Sequence, residues 1–300
     1  MNRTLFAAAA AVLAGALVMA ARSAATAEIK ESAAPAQPKE AAAMPNPFYA
    51  MDTCTKNLDL VKELGYAGLS WTLGDPKATQ AAAGQARERG LKIFAIYCGV
   101  TLGKDKLHYD PRLKDTLAAL KGHDTLIWLH IGSKDYPKSS ADGDAAAVEG
   151  LREIADLAAA QGLRVAIYPH VGNWTERVQD AVRVARKVDR KNFGVTFNLC
   201  HCLAVGDEDK IPALLEEAAP HLFMVSINGA DSKAPGGGWG RLIQTLDQGT
   251  FDMVPLLKKL RAIHYRGPIG LQGFGVKGDA KDNLARSMAA WRQLSARAMQ

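Results

Sequence analysis

The sequence lacks a concentrated block of basic residues, although its formal charge is positive. Its 300 residues carry 37 Lys and Arg against 31 Asp and Glu, which gives a net charge of +6. Arg3 and Arg22 lie in an N-terminal segment that we expect to be removed, so 37 − 2 − 31 leaves +4, spread along the chain. Proteins that bind nucleic acids usually gather positive charge into a patch or stripe. The sequence therefore predicts no nucleic-acid partner.

Cysteine is scarce, and the four cysteines have no metal-binding pattern of known spacing. They are Cys54, Cys98, Cys200 and Cys202. The run from Cys200 to Cys202 encloses a histidine, but no second Cys/His pair stands at the spacing of a zinc finger. Apolar neighbours favour buried thiols with a structural role, while disulfide pairing stays open for an exported protein.

The first 27 residues have the features of a signal peptide. A short basic start precedes an apolar run from Thr4 to Ala20, and residues 25–27 are small, as a signal peptidase requires. No cysteine stands near this point, which argues against a lipoprotein, and no stop-transfer segment follows. We therefore expect an exported protein, periplasmic or secreted, with no stable membrane span after cleavage. Residues 28–47 are rich in Ala, Pro, Glu and Lys and are expected to form a flexible tether.

From Phe48 to the C-terminus, short apolar runs alternate with amphipathic segments, which predicts one domain over residues 48–300. The predicted strands span residues 48–54, 66–71, 91–97, 125–131, 164–168, 193–199, 222–227 and 268–272. The predicted helices span residues 57–64, 76–89, 111–120, 144–160, 174–188, 209–218, 252–264 and 281–296. Strands that alternate with helices form a parallel sheet buried on both faces.

This pattern amounts to about eight β/α units over roughly 250 residues, the size of a (β/α)8 TIM barrel. We therefore predict an α/β fold in which a parallel eight-stranded barrel is surrounded by outer helices. An open doubly wound sheet is the alternative. It is disfavoured because residues 52–56, after the first strand, contain no glycine and so no phosphate-binding loop.

Polar side chains follow several of the predicted strands at their carboxyl ends, where sites are assembled in such folds. They are His130, His170, Asn198, His201, Asn228 and Gln272. The long connection at residues 229–250 adds Trp239 after three glycines, either as a hinged lid over a ligand or as a loop without a role. Asp52 and Asp231 are the carboxylates placed near the same end, where either one could orient a histidine or cap a turn.

Four segments resemble parts of one known family. The runs at residues 249–260 and 265–272 resemble the last β/α unit of xylose isomerase-like TIM barrels, the sugar phosphate isomerase/epimerase superfamily that also includes endonuclease IV. Residues 194–201 resemble the sixth strand of that family, which normally ends in Asp-x-x-His. Residues 165–170 resemble its fifth strand, with Tyr168 where the family carries a glutamate.

The resemblance implies a divalent metal ion held by a glutamate, an aspartate, a histidine and a second glutamate. The corresponding residues here are Tyr168, Asn198, Ser226 (or Asn228 if the register slips) and Gln272, all of them neutral. Mg²⁺ and Mn²⁺ need anionic oxygens to offset their dehydration, and an amide cannot accept a proton near neutral pH. We therefore assign no metal ligand, expect the usual metal site to be lost or weakened, and leave the cofactor open. Nuclease chemistry with several metal ions is disfavoured for the same reason.

The leading hypothesis is an exported sugar isomerase/epimerase-like protein in which His170 and His201 transfer protons. Amide groups offer a donor and an acceptor together, which suits the hydroxyls of a small carbohydrate. The expected substrate-binding residues are His130, Tyr168, Asn198, Asn228, Gln272 and Trp239. Two alternatives stay open: a carbohydrate-binding protein without catalysis, and a zinc-dependent hydrolase or lyase that uses His130, His170 and His201.

Overall fold

The computed structural model describes residues 43–300, so the predicted signal peptide and most of the predicted tether lie outside the described residues. The last residues of that tether already lie against the domain. Met44 and Asn46 are buried, and the amide of Asn46 donates hydrogen bonds to the carbonyls of Tyr265 and Gly267. The ordered contacts of the domain therefore begin ahead of Phe48.

Within residues 43–300, nine strands form one sheet. They are β1 (Phe48–Ala50), β2 (Gly68–Thr72), β3 (Lys92–Leu102), β4 (Leu107–Tyr109), β5 (Leu126–Ser133), β6 (Arg164–Ile167), β7 (Phe193–Asn198), β8 (Leu222–Ile227) and β9 (Ile269–Leu271). The α-helices are α1 (Leu58–Glu63), α2 (Pro76–Glu88), α3 (Arg112–Ala119), α4 (Asp144–Ala159), α5 (Val178–Val188), α6 (Leu199–Ala204), α7 (Ile211–Ala218), α8 (Trp239–Leu242), α9 (Met253–Ala262) and α10 (Ala280–Met299).

Eight of the strands run parallel and close into a ring. Strand β1 pairs with β9 on one side, with Phe48 opposite Ile269, and with β2 on the other, with Ala50 opposite Leu69. The β2–β3 pairing completes the closure. The ninth strand, β4, pairs antiparallel with the last residues of β3 and is not one of the eight. The predicted (β/α)8 TIM barrel is confirmed.

Large aromatic side chains fill the inside of the barrel. Alternate residues of a strand point to the same face, and the inward positions form one cluster that includes Tyr49, Phe94, Trp128 and Tyr168. Tyr49 stacks on Phe94 with ring centroids 4.8 Å apart, and Trp128 meets Tyr168 at 5.2 Å. Gly270 makes room for this layer, because a Cβ there would lie 2.4 Å from the ring of Tyr49. The barrel is thus plugged below Tyr168, and a ligand can enter only above it.

A second and larger apolar cluster lies between the barrel and the helices. Most helices begin where the sequence predicts, for example α2, where Asp75 accepts a hydrogen bond from the main chain of Ala78 just before Pro76. The fifth predicted helix starts later than expected, at Val178. Trp174, expected in its first turn, is instead buried in the preceding loop, and its indole nitrogen donates to the carbonyl of Ser140.

In the part of the chain that the structure describes, no helix has both the length and the apolar character to cross a membrane.

Candidate functional site

The side chains at the barrel mouth follow from the inward positions of the strands. On β5 these positions are Leu126 and Trp128 in the interior and then His130. Along β6 and the residues after it, Ala166 and Tyr168 are succeeded by His170. Each of these two strands therefore places apolar or aromatic residues inside the barrel and a histidine at or just beyond its carboxyl end.

A cavity of about 420 Å³ opens above the aromatic layer, a volume within the usual range for a small-molecule site. Five of the eight residues predicted for the site line this cavity: Tyr168, His170, His201, Trp239 and Gln272. The other lining residues are Asp52, which the sequence places near the mouth, Tyr97 and Phe274, which it offers as an apolar platform for a sugar face, and four residues it does not single out: Met51, Thr53, Thr72 and Ile243. The three predicted residues outside the lining are His130, Asn198 and Asn228.

His170 and His201 form a close imidazole pair on one wall of the cavity. Their ring centroids are 4.1 Å apart, and the indole of Trp239 meets the ring of His201 edge to face at 5.4 Å. Nδ1 of His170 lies 2.8 Å from the carbonyl oxygen of Val171. A carbonyl can only accept, so this nitrogen carries the proton, and Nε2 of His170 keeps a free lone pair.

Burial determines the charge of the three histidines. It lowers the pKa of His130 to about 4 and also lowers the pKa of His170. For His201, burial and the nearby imidazoles of His170 and His130 hold the pKa well below its usual range. All three rings are therefore neutral near pH 7 and can accept a proton or a hydrogen bond. Nδ1 of His201 is buried and has no hydrogen-bond partner among the described residues.

His130 supports the wall of the cavity and does not line it. Its ring stacks on Tyr97 with centroids 4.5 Å apart, and the amide nitrogen of Asn173 donates to its Nδ1 at 3.1 Å. The other face is tightly packed, because a Cβ at Gly99 would lie 2.8 Å from Nε2 of His130. His130 therefore holds Tyr97, which does line the cavity.

Tyr168 and Gln272 form the polar part of the cavity floor. Burial raises the pKa of Tyr168 well above its usual range, so its hydroxyl keeps its proton and can act as a hydrogen-bond donor. The amide oxygen of Gln272 accepts from the hydroxyl of Thr53 at 2.7 Å and from the main-chain nitrogen of Phe274 at 2.9 Å. These two contacts fix the orientation of the Gln272 amide.

Asn198 and Asn228 lie at the same end of the barrel, but their side chains form hydrogen bonds within the protein. The amide nitrogen of Asn198 donates to the carbonyl of Pro169, and its oxygen accepts from the hydroxyl of Ser226. The amide nitrogen of Asn228 donates to the carbonyls of Gly229, at 2.8 Å, and Leu242, at 2.7 Å. Asn198 thus ties neighbouring strands together, and Asn228 anchors the loop that carries Trp239.

The four positions aligned with the family's metal ligands lie at strand ends, but their donors are neutral and mostly engaged. The oxygens of Asn198 and Gln272 already accept two hydrogen bonds each. A three-histidine zinc site would need imidazole nitrogens that converge on one point. Within residues 43–300, no group of three or more His, Cys, Asp or Glu side chains is placed to hold a metal ion. The four cysteines are free thiols, three of them buried, and burial raises the pKa of Cys200 and Cys202 to about 12.

Asp52 and Asp231, the two carboxylates placed near the mouth from the sequence, have different surroundings. Asp52 lines the cavity, and its oxygens accept from the hydroxyls of Ser70 at 3.0 Å and Thr72 at 2.7 Å. Asp231 instead pairs with Arg241 within the long loop, at 2.9 Å. The alternate positions of Ser70 and Thr72 on β2 predict that the two hydroxyls share one face of the strand. That this face lies against Asp52 depends on the pairing of β1 with β2, which the sequence does not show.

Comparisons with known proteins agree with this architecture. A family model described as a xylose isomerase-like TIM barrel matches residues 58–294. A search of curated protein sequences found no match.

Solved structures with the same fold include two sugar epimerases. The 3-keto-D-glucoside 4-epimerase of E. coli is 18% identical, with 83% of this chain and 99% of that chain covered and a TM-score of 0.62. The D-allulose 3-epimerase of Methylomonas sp. is 16% identical, with 84% and 100% covered and a TM-score of 0.65. The IolI protein, solved with a bound zinc atom, is 15% identical, with 83% and 98% covered and a TM-score of 0.66. At these identities the likeness shows the fold alone.

Proposed function

The chain belongs to the xylose isomerase-like TIM barrel family, and from this premise we propose that its barrel mouth binds a small carbohydrate and catalyses an isomerase- or epimerase-like proton transfer on it. The observation that carries the proposal is the pair of neutral imidazoles, His170 and His201, 4.1 Å apart between ring centroids on the wall of one cavity. Solved structures of similar fold include epimerases that act on sugars, as their names state.

His170 is the better placed base of the pair. Its Nδ1 donates to the carbonyl of Val171, so the lone pair of Nε2 is free to take a proton from the carbon next to a sugar carbonyl. The hydroxyl of Tyr168 stays protonated and would donate a hydrogen bond to the carbonyl oxygen as negative charge builds there. His201, neutral beside it on the same wall, would pass the hydroxyl proton between the two oxygens of the enediol, taking it at one ring nitrogen and giving it from the other. Return of the proton from His170 to the adjacent carbon gives isomerisation, and its return to the same carbon after the enediol has turned over gives epimerisation.

We further propose that the divalent ion usual for the family does not act here. Carboxylate oxygens offset the dehydration of Mg²⁺ or Mn²⁺, and this chain offers a phenol, two amides and a hydroxyl at those positions. The oxygens of Asn198 and Gln272 are occupied by protein donors. The proton transfer above therefore uses only side chains of this protein.

A second candidate function is carbohydrate binding without catalysis. The lowered pKa values of His170 and His201 favour it, because a weaker base removes a carbon-bound proton more slowly. The cavity and its hydrogen-bonding groups are equally suited to this function. Only a measurement of proton transfer separates the two.

The decisive experiment incubates the protein with D-allulose, D-fructose, D-glucose and D-xylose in D2O and follows deuterium entry by NMR, with calorimetry for binding. Exchange into a sugar by the wild type, reduced about 100-fold or more in His170→Gln and His201→Gln, would support the enzyme. A matched control, His108→Gln on the exposed side of β4, should exchange at the wild-type rate. Binding without exchange would support the second candidate. Neither binding nor exchange with any of the four sugars would refute both.

Export is proposed from the N-terminal sequence alone. The apolar run and the small residues at 25–27 predict cleavage after Ala27. Intact mass measurement of protein from the periplasm or medium of an expressing bacterium should show a mature chain that begins at Glu28. Retention of residues 1–27 in the cytoplasmic fraction would contradict the proposal.

A further inference from the structure

Among the described residues, Asp52 is the only charged side chain in the lining of the cavity. The other lining residues are aliphatic, aromatic, hydroxyl or amide residues, together with the neutral His170 and His201. No lysine or arginine of residues 43–300 lines the cavity. A ligand in this cavity therefore meets one negative charge and no positive charge.

The protein fixes the orientation of the Asp52 carboxylate on both sides. The hydroxyl of Ser70 donates to one oxygen at 3.0 Å, and the hydroxyl of Thr72 donates to the other at 2.7 Å. The main-chain nitrogen of Asp52 donates back to the hydroxyl of Ser70 at 3.0 Å, which closes a small ring of hydrogen bonds. The carboxylate thus keeps one rotamer before any ligand arrives, and less side-chain entropy is lost on binding.

Each oxygen of this carboxylate still has acceptor capacity. An ionised carboxylate offers about four lone-pair sites, and Ser70 and Thr72 use one on each oxygen. Two hydroxyl groups on adjacent carbons can donate to the two remaining sites together. Hydrogen bonds to a charged acceptor are roughly twice as strong as those between neutral groups.

The same charge acts against anionic ligands. A phosphate or carboxylate group in the cavity would face Asp52 without a cation to compensate, at a distance where like charges repel. We therefore expect the charge of Asp52 to favour the binding of a neutral sugar over a phosphorylated or acidic sugar with the same ring.

We propose that Asp52 makes the site specific for uncharged sugars: its carboxylate accepts two neighbouring hydroxyls and excludes phosphorylated and acidic sugars. This inference rests on the proposed carbohydrate site and adds its substrate class. It assigns Asp52 a specificity role that is independent of whether His170 and His201 transfer protons.

The test measures binding by calorimetry for matched pairs that differ in charge: D-glucose with D-glucose 6-phosphate and D-glucuronate, and D-fructose with D-fructose 6-phosphate. The wild type should bind at least one neutral member and bind its anionic counterparts at least tenfold more weakly. Asp52→Asn keeps the shape and removes the charge. It should bind the neutral sugar about tenfold more weakly and bind neutral and anionic members within about threefold of each other.

Two further variants separate the effect of the Asp52 charge from the effect of its orientation and from the loss of an acidic residue elsewhere. Thr72→Val keeps the charge but frees one oxygen, so it should weaken the neutral sugar and still exclude the anionic one. It also serves as the test if Asp52→Asn does not fold. Asp105→Asn, at an exposed acid between β3 and β4, should match the wild type.

The outcomes distinguish this inference from the function on which it rests. If the wild type binds a neutral sugar and Asp52→Asn binds it equally well with the same discrimination, the role of Asp52 is refuted and the carbohydrate site stands. Preference of the wild type for an anionic sugar would also refute it. If no member of the panel binds, the carbohydrate site itself is refuted, and the inference with it.

Discussion

Replacement of His130 should make the protein less sensitive to acid. Burial, with a smaller effect from the neighbouring His170, lowers the pKa of His130 from 6.5 to about 4 in the folded protein. In the unfolded chain the ring is free in water and titrates near its ordinary value. Between these two pKa values the unfolded state binds more protons, so the stability due to the neutral ring is present above pH 6.5 and is lost as the pH falls toward 4.

The size of the effect follows from the two pKa values. They differ by about 2.5, and each unit corresponds to about 1.4 kcal/mol, so the full loss below pH 4 is about 3.4 kcal/mol. At pH 5 the pH lies about 1.5 units below the pKa of the unfolded state, so about 2 kcal/mol of this stability has been lost. Because the ring of His130 is only partly shielded from solvent, we expect a loss of about 1–2 kcal/mol at pH 5.

The assay is urea unfolding at pH 7, 6 and 5 for the wild type and for His130→Gln, which keeps a polar side chain without a titrating ring. Carboxylates titrate in both proteins, so their contribution cancels in the difference between the two free energies of unfolding. The free energy of unfolding of the wild type minus that of His130→Gln should fall by about 1–2 kcal/mol from pH 7 to pH 5. Parallel pH profiles for the two proteins would refute the reasoning, and His108→Gln, at an exposed position, should follow the wild type.

Three other variants test the metal positions, a buried ion pair and the barrel interior. Gln272→Glu with Asn198→Asp should give Mn²⁺ binding by calorimetry that the wild type lacks; no heat with the double variant would mean that the alignment with the family's ligands is wrong. Asp207→Ala removes a buried carboxylate that pairs with an arginine and a lysine. It should lower the free energy of unfolding, measured with urea, by about 2 kcal/mol, and an unchanged urea midpoint would contradict this. Gly270→Ala places a Cβ 2.4 Å from Tyr49 and should lower the free energy of unfolding by about 1–3 kcal/mol, as read from thermal melting; a Tm equal to that of the wild type would show that the interior can adjust.

The alternating pattern of the strands made much of this molecule predictable. His170 stands two residues after Tyr168, and period-two geometry places both on the inward face once residues 164–168 are recognised as a strand. Gln272 follows from the same argument, two residues after Gly270 on β9, whereas His201 lies in α6, three residues past the end of β7, where strand periodicity does not apply. The eight β/α units and the inward positions of Tyr168, His170 and Gln272 required no knowledge of tertiary contacts.

Residues whose position depends on pairing between distant segments were harder to predict. Asn228 ends its strand as expected, but its amide bonds to Gly229 and Leu242, a choice that depends on how the following loop folds back. His130 also occupies an inward position, yet Tyr97 on the neighbouring strand covers it. Local periodicity gives the direction of a side chain, whereas its exposure depends on the size and position of its neighbours.

The connection after β3 shows a further limit of local patterns. The third predicted strand was assigned residues 91–97, but β3 runs from Lys92 to Leu102 and turns back into β4. The added residues alternate in burial, with Val100 and Leu102 buried and Gly99 and Thr101 exposed. That alternation favours a strand, but residues 98–102 contain a glycine, which usually indicates the end of a strand.

The double hydrogen bond of Asn228 has a consequence for protein engineering. One buried amide holds the carbonyl of Gly229, where the loop leaves the barrel, and that of Leu242, at the end of the helix that begins at Trp239. The main chains of Gly229 and Gln244, and of Asp231 and Arg241, also bond to each other here, so both ends of the intervening segment are held together. Residues 235–238 within it are exposed and can be lengthened or exchanged, whereas Ala230 and Ala234 are buried in the core and should be kept. Libraries confined to this stretch offer a direct way to redesign what the protein recognises.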